Sequence, residues 1–267
     1  MMKKFTLLLA GLLMMAALLA AGCGGSQPKE IKLGATAGPH AEVAEAVARE
    51  AEKQGLKVKV VEFSDYITPD QALADGEIDL NGYQHEPFLK NFNKEKGTEL
   101  SAIGTTILMR MGIYSDRLHD IKAIPEGARV AIPNDPTNGG RALMLLEKAG
   151  LIQLKDGVGF KGTVRDIAAN PLHLQFVELE AAQLPRSLPD VDLAVITMNY
   201  VMSGGLDVEK QGLFLEDRTE PLAVMVLASR TKDKDNPEYQ KVAAIFHSEA
   251  VKEFIKDKYQ GTIVPAE

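Results

Sequence analysis

The sequence predicts an α/β protein built as a two-lobed clam with two crossing strands. Three observations lead there. Runs of β-forming residues alternate with amphipathic helical runs along nearly the whole chain, the pattern of parallel βαβ units. The alternation falls into two successive series, the second beginning near Met111. Two apolar segments, Ala102 to Leu108 and Leu222 to Ala228, are long enough to cross between two sheets. The expected division is a leader over 1–22, a tether over 23–29, lobe 1 over 30–107 and 226–267, and lobe 2 over 108–225.

The leader begins with Lys3 and Lys4, continues as an apolar run from Phe5 to Ala21 and ends in small residues before Cys23. This is the layout of a bacterial lipoprotein signal peptide, too short to remain as a spanning helix. Cleavage before Cys23, the chain's single cysteine, leaves its thiol at the new N-terminus to carry lipid and excludes an internal disulfide. Gly24 to Pro28 reads as a flexible leash. The expected location is the extracytoplasmic side of the cell membrane, held by acyl chains. The whole chain carries a net charge of −7, about −9 once Lys3 and Lys4 leave, so binding to nucleic acid is disfavoured.

The first series starts with a strand over Ile31 to Ala35, broken by Gly38-Pro39, and a helix over Ala41 to Lys53 closed by Gly55. An alternating strand follows over Leu56 to Phe63. Thr68-Pro69 opens a short helix, Ile78 to Asn81 is a buried strand, and Glu86 to Lys96 an amphipathic helix. In the second series, strands are expected over Val130 to Pro133, Leu174 to Leu179 and Val191 to Thr197, and a helix over Pro136 to Ala149 stopped by Gly150. Two C-terminal helices, around Glu238 to Phe246 and Glu249 to Lys258, are expected to pack back on lobe 1.

A cleft between lobes is where small ligands bind, and an exported, tethered clam suits a solute receptor that closes by hinge motion. Two clusters supply its chemistry. In Ile132 to Arg141, Asp135 is an N-cap with Pro136 behind it, Gly139-Gly140 allow close approach to the backbone, and Arg141 can grip a carboxylate in two parallel hydrogen bonds. A merely solvated arginine is the plainer alternative. The second cluster joins Phe63-Ser64-Asp65-Tyr66 to Asn81-Gly82-Tyr83-Gln84-His85. Tyr66 and Tyr83 offer aromatic faces to an apolar or thioether side chain, and an ordinary core rim accounts for them equally. His85 fits both a loop-holding role and ligand contact.

Enzyme chemistry finds little support. The five histidines are scattered without metal-ligand spacing, the cysteine is committed to lipid, and there is no Gly-x-Ser-x-Gly elbow. Gly157-Val158-Gly159-Phe160-Lys161-Gly162 matches a dinucleotide fingerprint with Glu178 about 20 residues on. The preceding segment is short and ends in charges, so no cofactor is expected. Glu178 and Glu180 fall on one face of a strand.

Over nearly its whole mature length the chain resembles the methionine-binding lipoproteins of the NlpA family, substrate-binding components of ABC importers. The stretches that carry the resemblance are Gly34 to His40, Glu62 to Tyr66, Tyr83-Gln84-His85, the run ending in Arg141, and Val177 to Ser187. The resemblance implies a periplasmic-binding-protein fold, with Tyr66, Tyr83 and His85 from one lobe and Arg141 from the other around methionine or a related amino acid. It also implies an ABC permease and an ATPase as partners. Two departures stand out. Ile196-Thr197-Met198-Asn199-Tyr200 has a hydroxyl, Thr197, where many relatives have an amide, and the family's Pro-Tyr-x-Asn is here Pro221-Leu222-Ala223-Val224. Arg110 also stands where relatives commonly have proline. Thr197, Asn199 and Arg110 are then candidates to rebuild the polar end, and Val224 to form an apolar wall. A different amino acid or a short peptide is an alternative ligand, and a surface interaction protein without transport an alternative of another class.

Overall fold

The computed structural model describes residues 30–266. The leader, Cys23 and the whole tether lie outside the described residues. Among the described residues no helix is long and apolar enough to cross a membrane.

In the first series, β1 (Ile31–Thr36) leads to α1 (Pro39–Lys53), β2 (Val58–Phe63), α2 (Thr68–Asp75), β3 (Leu80–His85), α3 (Glu86–Lys96) and β4 (Leu100–Leu108). β1 and β3 are buried almost throughout, as strands covered on both faces must be. The turn from β1 into α1 uses Gly38 at φ 88°, where a side chain would be strained and would meet Ser203. The second series runs β5 (Met111–Tyr114), β6 (Arg129–Pro133), α4 (Pro136–Lys148), β7 (Gln153–Leu154), β8 (Ile167–Ala169), β9 (Gln175–Leu179), α5 (Leu184–Ser187), β10 (Leu193–Thr197), α6 (Met198–Ser203), α7 (Val208–Gln211) and β11 (Gly212–Leu215). The chain then returns as β12 (Val224–Arg230), α8 (Pro237–Phe246), α9 (Glu249–Tyr259) and β13 (Val264–Pro265).

Two main sheets result. The first has the order β13-β4-β12-β3-β1-β2, with β3, β1 and β2 parallel and β12, β4 and β13 antiparallel to their neighbours. The second has the order β11-β5-β10-β6-β9, parallel through β10, β6 and β9. The two apolar segments expected to cross lie side by side in the first sheet, paired as β4 and β12. The chain changes lobes at their ends, through Met109-Arg110 and through the short turn at Pro221–Ala223. α8 and α9 pack on α1, and so on the first lobe.

One apolar cluster joins the lobes: Leu33 and Leu80 of the first sheet share it with Ala131, Ala194 and Ile196 of the second, through Met109, Tyr114 and Met198. The second lobe has a separate core around Met111, Val130, Leu143 and Val195. The Gly157 to Gly162 run does not form a strand-turn-helix. It is a loop with one 3₁₀ turn at Gly159–Lys161, laid over α4 so closely that the Phe160 carbonyl sits 1.9 Å from where a Gly140 Cβ would be. Gly139 is pressed in the same way against the Pro133 carbonyl, at 2.9 Å. The paired glycines therefore admit the chain's own backbone, not a ligand.

Candidate functional site

A narrow cavity of about 20 Å³ lies between the sheets. The first lobe supplies His40, Tyr66, Tyr83, Gln84, His85 and Phe88; the lobe junction supplies Met109 and Met225; the second lobe supplies Asn138, Arg141, Thr197 and Asn199.

The end of β3 delivers three consecutive residues to this cavity. Strand residues normally alternate faces, but β12 skips Tyr83 in the pairing: Val226 faces Gln84 and Leu227 faces Gly82. Such a bulge bends the strand and re-aims a side chain. His85 then caps α3, its Nδ1 accepting the Phe88 backbone N–H at 3.3 Å. A neutral imidazole that accepts at Nδ1 carries its proton at Nε2. That Nε2 is buried and has no protein partner. Burial, reinforced by the Arg141 charge, lowers the His85 pKa to about 3, and burial lowers that of His40 to about 3. Both rings are neutral near pH 7.

Tyr66 bridges the cleft. Its hydroxyl donates to Asn199 Oδ1 at 2.6 Å and lies 2.8 Å from Thr197 Oγ1, while its ring rests on Tyr200 at 4.9 Å and Tyr83 at 5.9 Å. The Tyr83 hydroxyl donates to the Tyr66 carbonyl at 2.6 Å. Both phenol tips are thus taken by the protein, and the tyrosines present ring faces. Thr197 ends β10, Asn199 sits in the first turn of α6, and the Asn199 Nδ2 donor is buried without a protein partner.

Arg141 projects from the second turn of α4, whose first turn is closed by Asp135 accepting the Asn138 backbone N–H at 2.9 Å. The guanidinium is buried and already engaged. Nε donates to Glu216 Oε1 at 2.7 Å, Nη2 to Glu216 Oε2 at 2.5 Å, and Nη2 also to the Met109 carbonyl at 2.9 Å. Glu216 is buried too and accepts the Met111 N–H at 2.6 Å. The fork expected to hold a ligand carboxylate therefore holds Glu216, and Nη1 is the edge left for a ligand.

Six of the seven expected ligand residues, Tyr66, Tyr83, His85, Arg141, Thr197 and Asn199, converge on the cavity. Val224 does not. It lines a separate surface cavity with Leu108, Arg218 and His247, and its neighbour Met225 faces the cleft, opposite His85 in the register. Arg110 is half-buried and does not line the cavity either; its Nη1 reaches the Glu216 carbonyl at 3.5 Å. Sequence reasoning assigned no role to Glu216, Phe88, Met109 or Met225, and named Gln84, Asn138 and His40 only within longer stretches. Gln84 stood inside a quoted motif, and the alternation along β12 could have pointed to Met225. Glu216, in Leu215-Glu216-Asp217-Arg218, reads as an ordinary charged turn.

The chain is similar to known proteins over most of its length. Residues 31–267 match the family model described as NlpA lipoprotein. The D-methionine-binding lipoprotein MetQ of Escherichia coli K12 is 42% identical over 248 residues, 91% of each chain, and Lipoprotein 28 of the same organism is 42% identical over 258 residues, 95% of this chain and 94% of that one. A solved nutrient-binding protein from Burkholderia cenocepacia, bound to methionine, superposes with a TM-score of 0.86 at 44% identity, over 89% of this chain and all of that one. The two-lobed fold is that of these substrate-binding proteins, and the chain belongs to the NlpA lipoprotein family.

Proposed function

We propose that this protein captures methionine in the cleft between its lobes and delivers it to an ABC importer, without catalysing a reaction. The observation that carries this reading is the mixed lining of the cavity. It offers three hydrogen-bond donors, His85 Nε2–H, Asn199 Nδ2 and the Nη1 edge of Arg141, suited to a carboxylate. It also offers the rings of Tyr66, Tyr83 and Phe88 with the thioethers of Met109 and Met225, suited to a flexible sulfur-containing side chain. The likeness to methionine-binding relatives supports the same ligand.

The division into lobes at 107/108 and 225/226 belongs to this reading, supported by the strands of each sheet falling almost wholly on one side. So does lipid attachment at Cys23 on the extracytoplasmic side, with a permease and an ATPase as partners, supported by the leader pattern and the lipoprotein relatives. Calorimetric titration of the folded domain with L-methionine, D-methionine and other amino acids tests the ligand. Saturable binding of methionine in preference to leucine is expected, and binding of neither methionine enantiomer refutes the reading. Membrane fractionation tests the anchor: Cys23→Ala should move the protein to the soluble fraction.

A further inference from the structure

Beneath the cavity, α2 and β3 share a fully buried polar cluster. Asp70 of α2 accepts from Asn81 Nδ2 at 2.8 Å and from Gln84 Nε2 at 2.5 Å through a single oxygen, Oδ1. Gln84 Nε2 also reaches Asn81 Oδ1 at 3.2 Å, and Asn81 Nδ2 donates to the Pro69 carbonyl at 3.2 Å. Two acceptors on one side settle which end of the Gln84 amide faces them, because the flipped amide would set its oxygen against two oxygens. The nitrogen faces Asp70 and Asn81. The oxygen is left over, and among the described residues Gln84 Oε1 is the buried side-chain oxygen without a partner on a residue lining the cavity. The Thr197 hydroxyl is tied to Tyr66, and the Asn199 oxygen accepts from Tyr66.

An amino acid brings a carboxylate and an ammonium into the same enclosure. The unpartnered donors, His85 Nε2–H and Asn199 Nδ2, serve the first; the second needs an acceptor. We propose that Gln84 Oε1 receives the ligand's ammonium group, and that Asp70 and Asn81, without touching ligand, are the positioning residues that hold the amide in that sense. This rests on the amino-acid reading above and adds which residue senses the amine.

The test compares L-methionine with 4-(methylthio)butanoate, which keeps the carboxylate and thioether but lacks the amine. In titrations of Gln84→Met, methionine affinity should fall about ten- to a hundredfold, the value of a hydrogen bond to a charged group, while the analogue changes by less than about threefold. Retained analogue binding also reports a folded cleft. Asp70→Asn replaces one acceptor oxygen by a donor, loosens the amide, and should erode the same preference by a smaller factor. A role confined to structure would weaken both ligands together. Equal losses for the two ligands, or methionine affinity unchanged in Gln84→Met, overturn the proposal. Wild-type protein that binds the analogue and methionine equally overturns it as well, while leaving the cleft a carboxylate site. Wild-type protein that binds neither overturns it together with the methionine reading.

Discussion

The two walls of the cleft are built on opposite principles. The first-lobe wall is aromatic and uncharged: Tyr66 and Tyr83 lie ring to ring at a tilt, Phe88 meets both edge-on, and His40 and His85 are held neutral. The second-lobe wall is organised around a full charge, Arg141, which is bound to Glu216 before any ligand arrives. The first wall presents ring faces, the Tyr66 and Tyr83 hydroxyls being bound within the protein. The second presents the Nη1 edge of Arg141, held in place by the ion pair with Glu216. Burial therefore serves different ends on the two sides, suppressing charge on one and locking it in place on the other.

The comparison can be broken most severely at Arg141. Arg141→Ala leaves Glu216 buried with its carboxylate uncompensated, which destabilises a fold by about 3–5 kcal/mol, and removes a charge-assisted donor from the site. Denaturant unfolding should show this loss, and the double variant Arg141→Ala/Glu216→Ala should recover part of it. Methionine titration should show weakened binding in both. Stability unchanged in Arg141→Ala would mean that the pair is not buried in solution.

Acid probes the first wall. His40 and His85 have pKa values near 3, below the ordinary 6.5, so the unfolded chain binds more protons than the folded one between those values. Their stabilisation is fully present above about pH 6.5 and is lost as pH falls through 3, by about 2–3 kcal/mol per ring between pH 7 and pH 4. Asp70 opposes this over part of the window, because burial raises its pKa to about 6 and its protonation favours the fold. Melts from pH 7 to pH 4 should therefore fall more gently in His40→Gln and in His85→Gln than in wild type. Equal slopes would show that these rings are not shielded.

Tyr66→Phe sharpens the comparison with less force. It keeps the ring stack but deletes the hydroxyl that joins Thr197 and Asn199 to the first wall, at a cost of about 1–2 kcal/mol for the orphaned Asn199 oxygen. The melting temperature should drop by a few degrees, and unchanged stability would remove Tyr66 as a bridge between lobes. Val224→Asn should do least. Because Val224 faces away from the cleft, methionine affinity should stay within about twofold, and a clear gain would place residue 224 in the site after all.

Much of this contrast was legible in the sequence because it is local. Asp135 and Pro136 announce α4 with Arg141 close behind, Gly38 announces the turn before α1, and Tyr66 stands just before the Thr68-Pro69 start of α2. What stayed hidden depends on distance or on register. Glu216 meets Arg141 across 75 positions of chain, and nothing in its own neighbourhood distinguishes it from a solvated acid. Val224 and Met225 are both apolar, and choosing between them requires knowing which face of β12 meets β3. The glycines at 139 and 140 were readable as places of close approach, but only the fold shows that Phe160 and Pro133 are what approach.

The Arg141–Glu216 pair also bears on how the protein responds to its surroundings. The pair carries no net charge, and a zwitterionic amino acid adds none. Salt screens exposed charges far more than buried ones, so ligand affinity is expected to change little between dilute and salty solution.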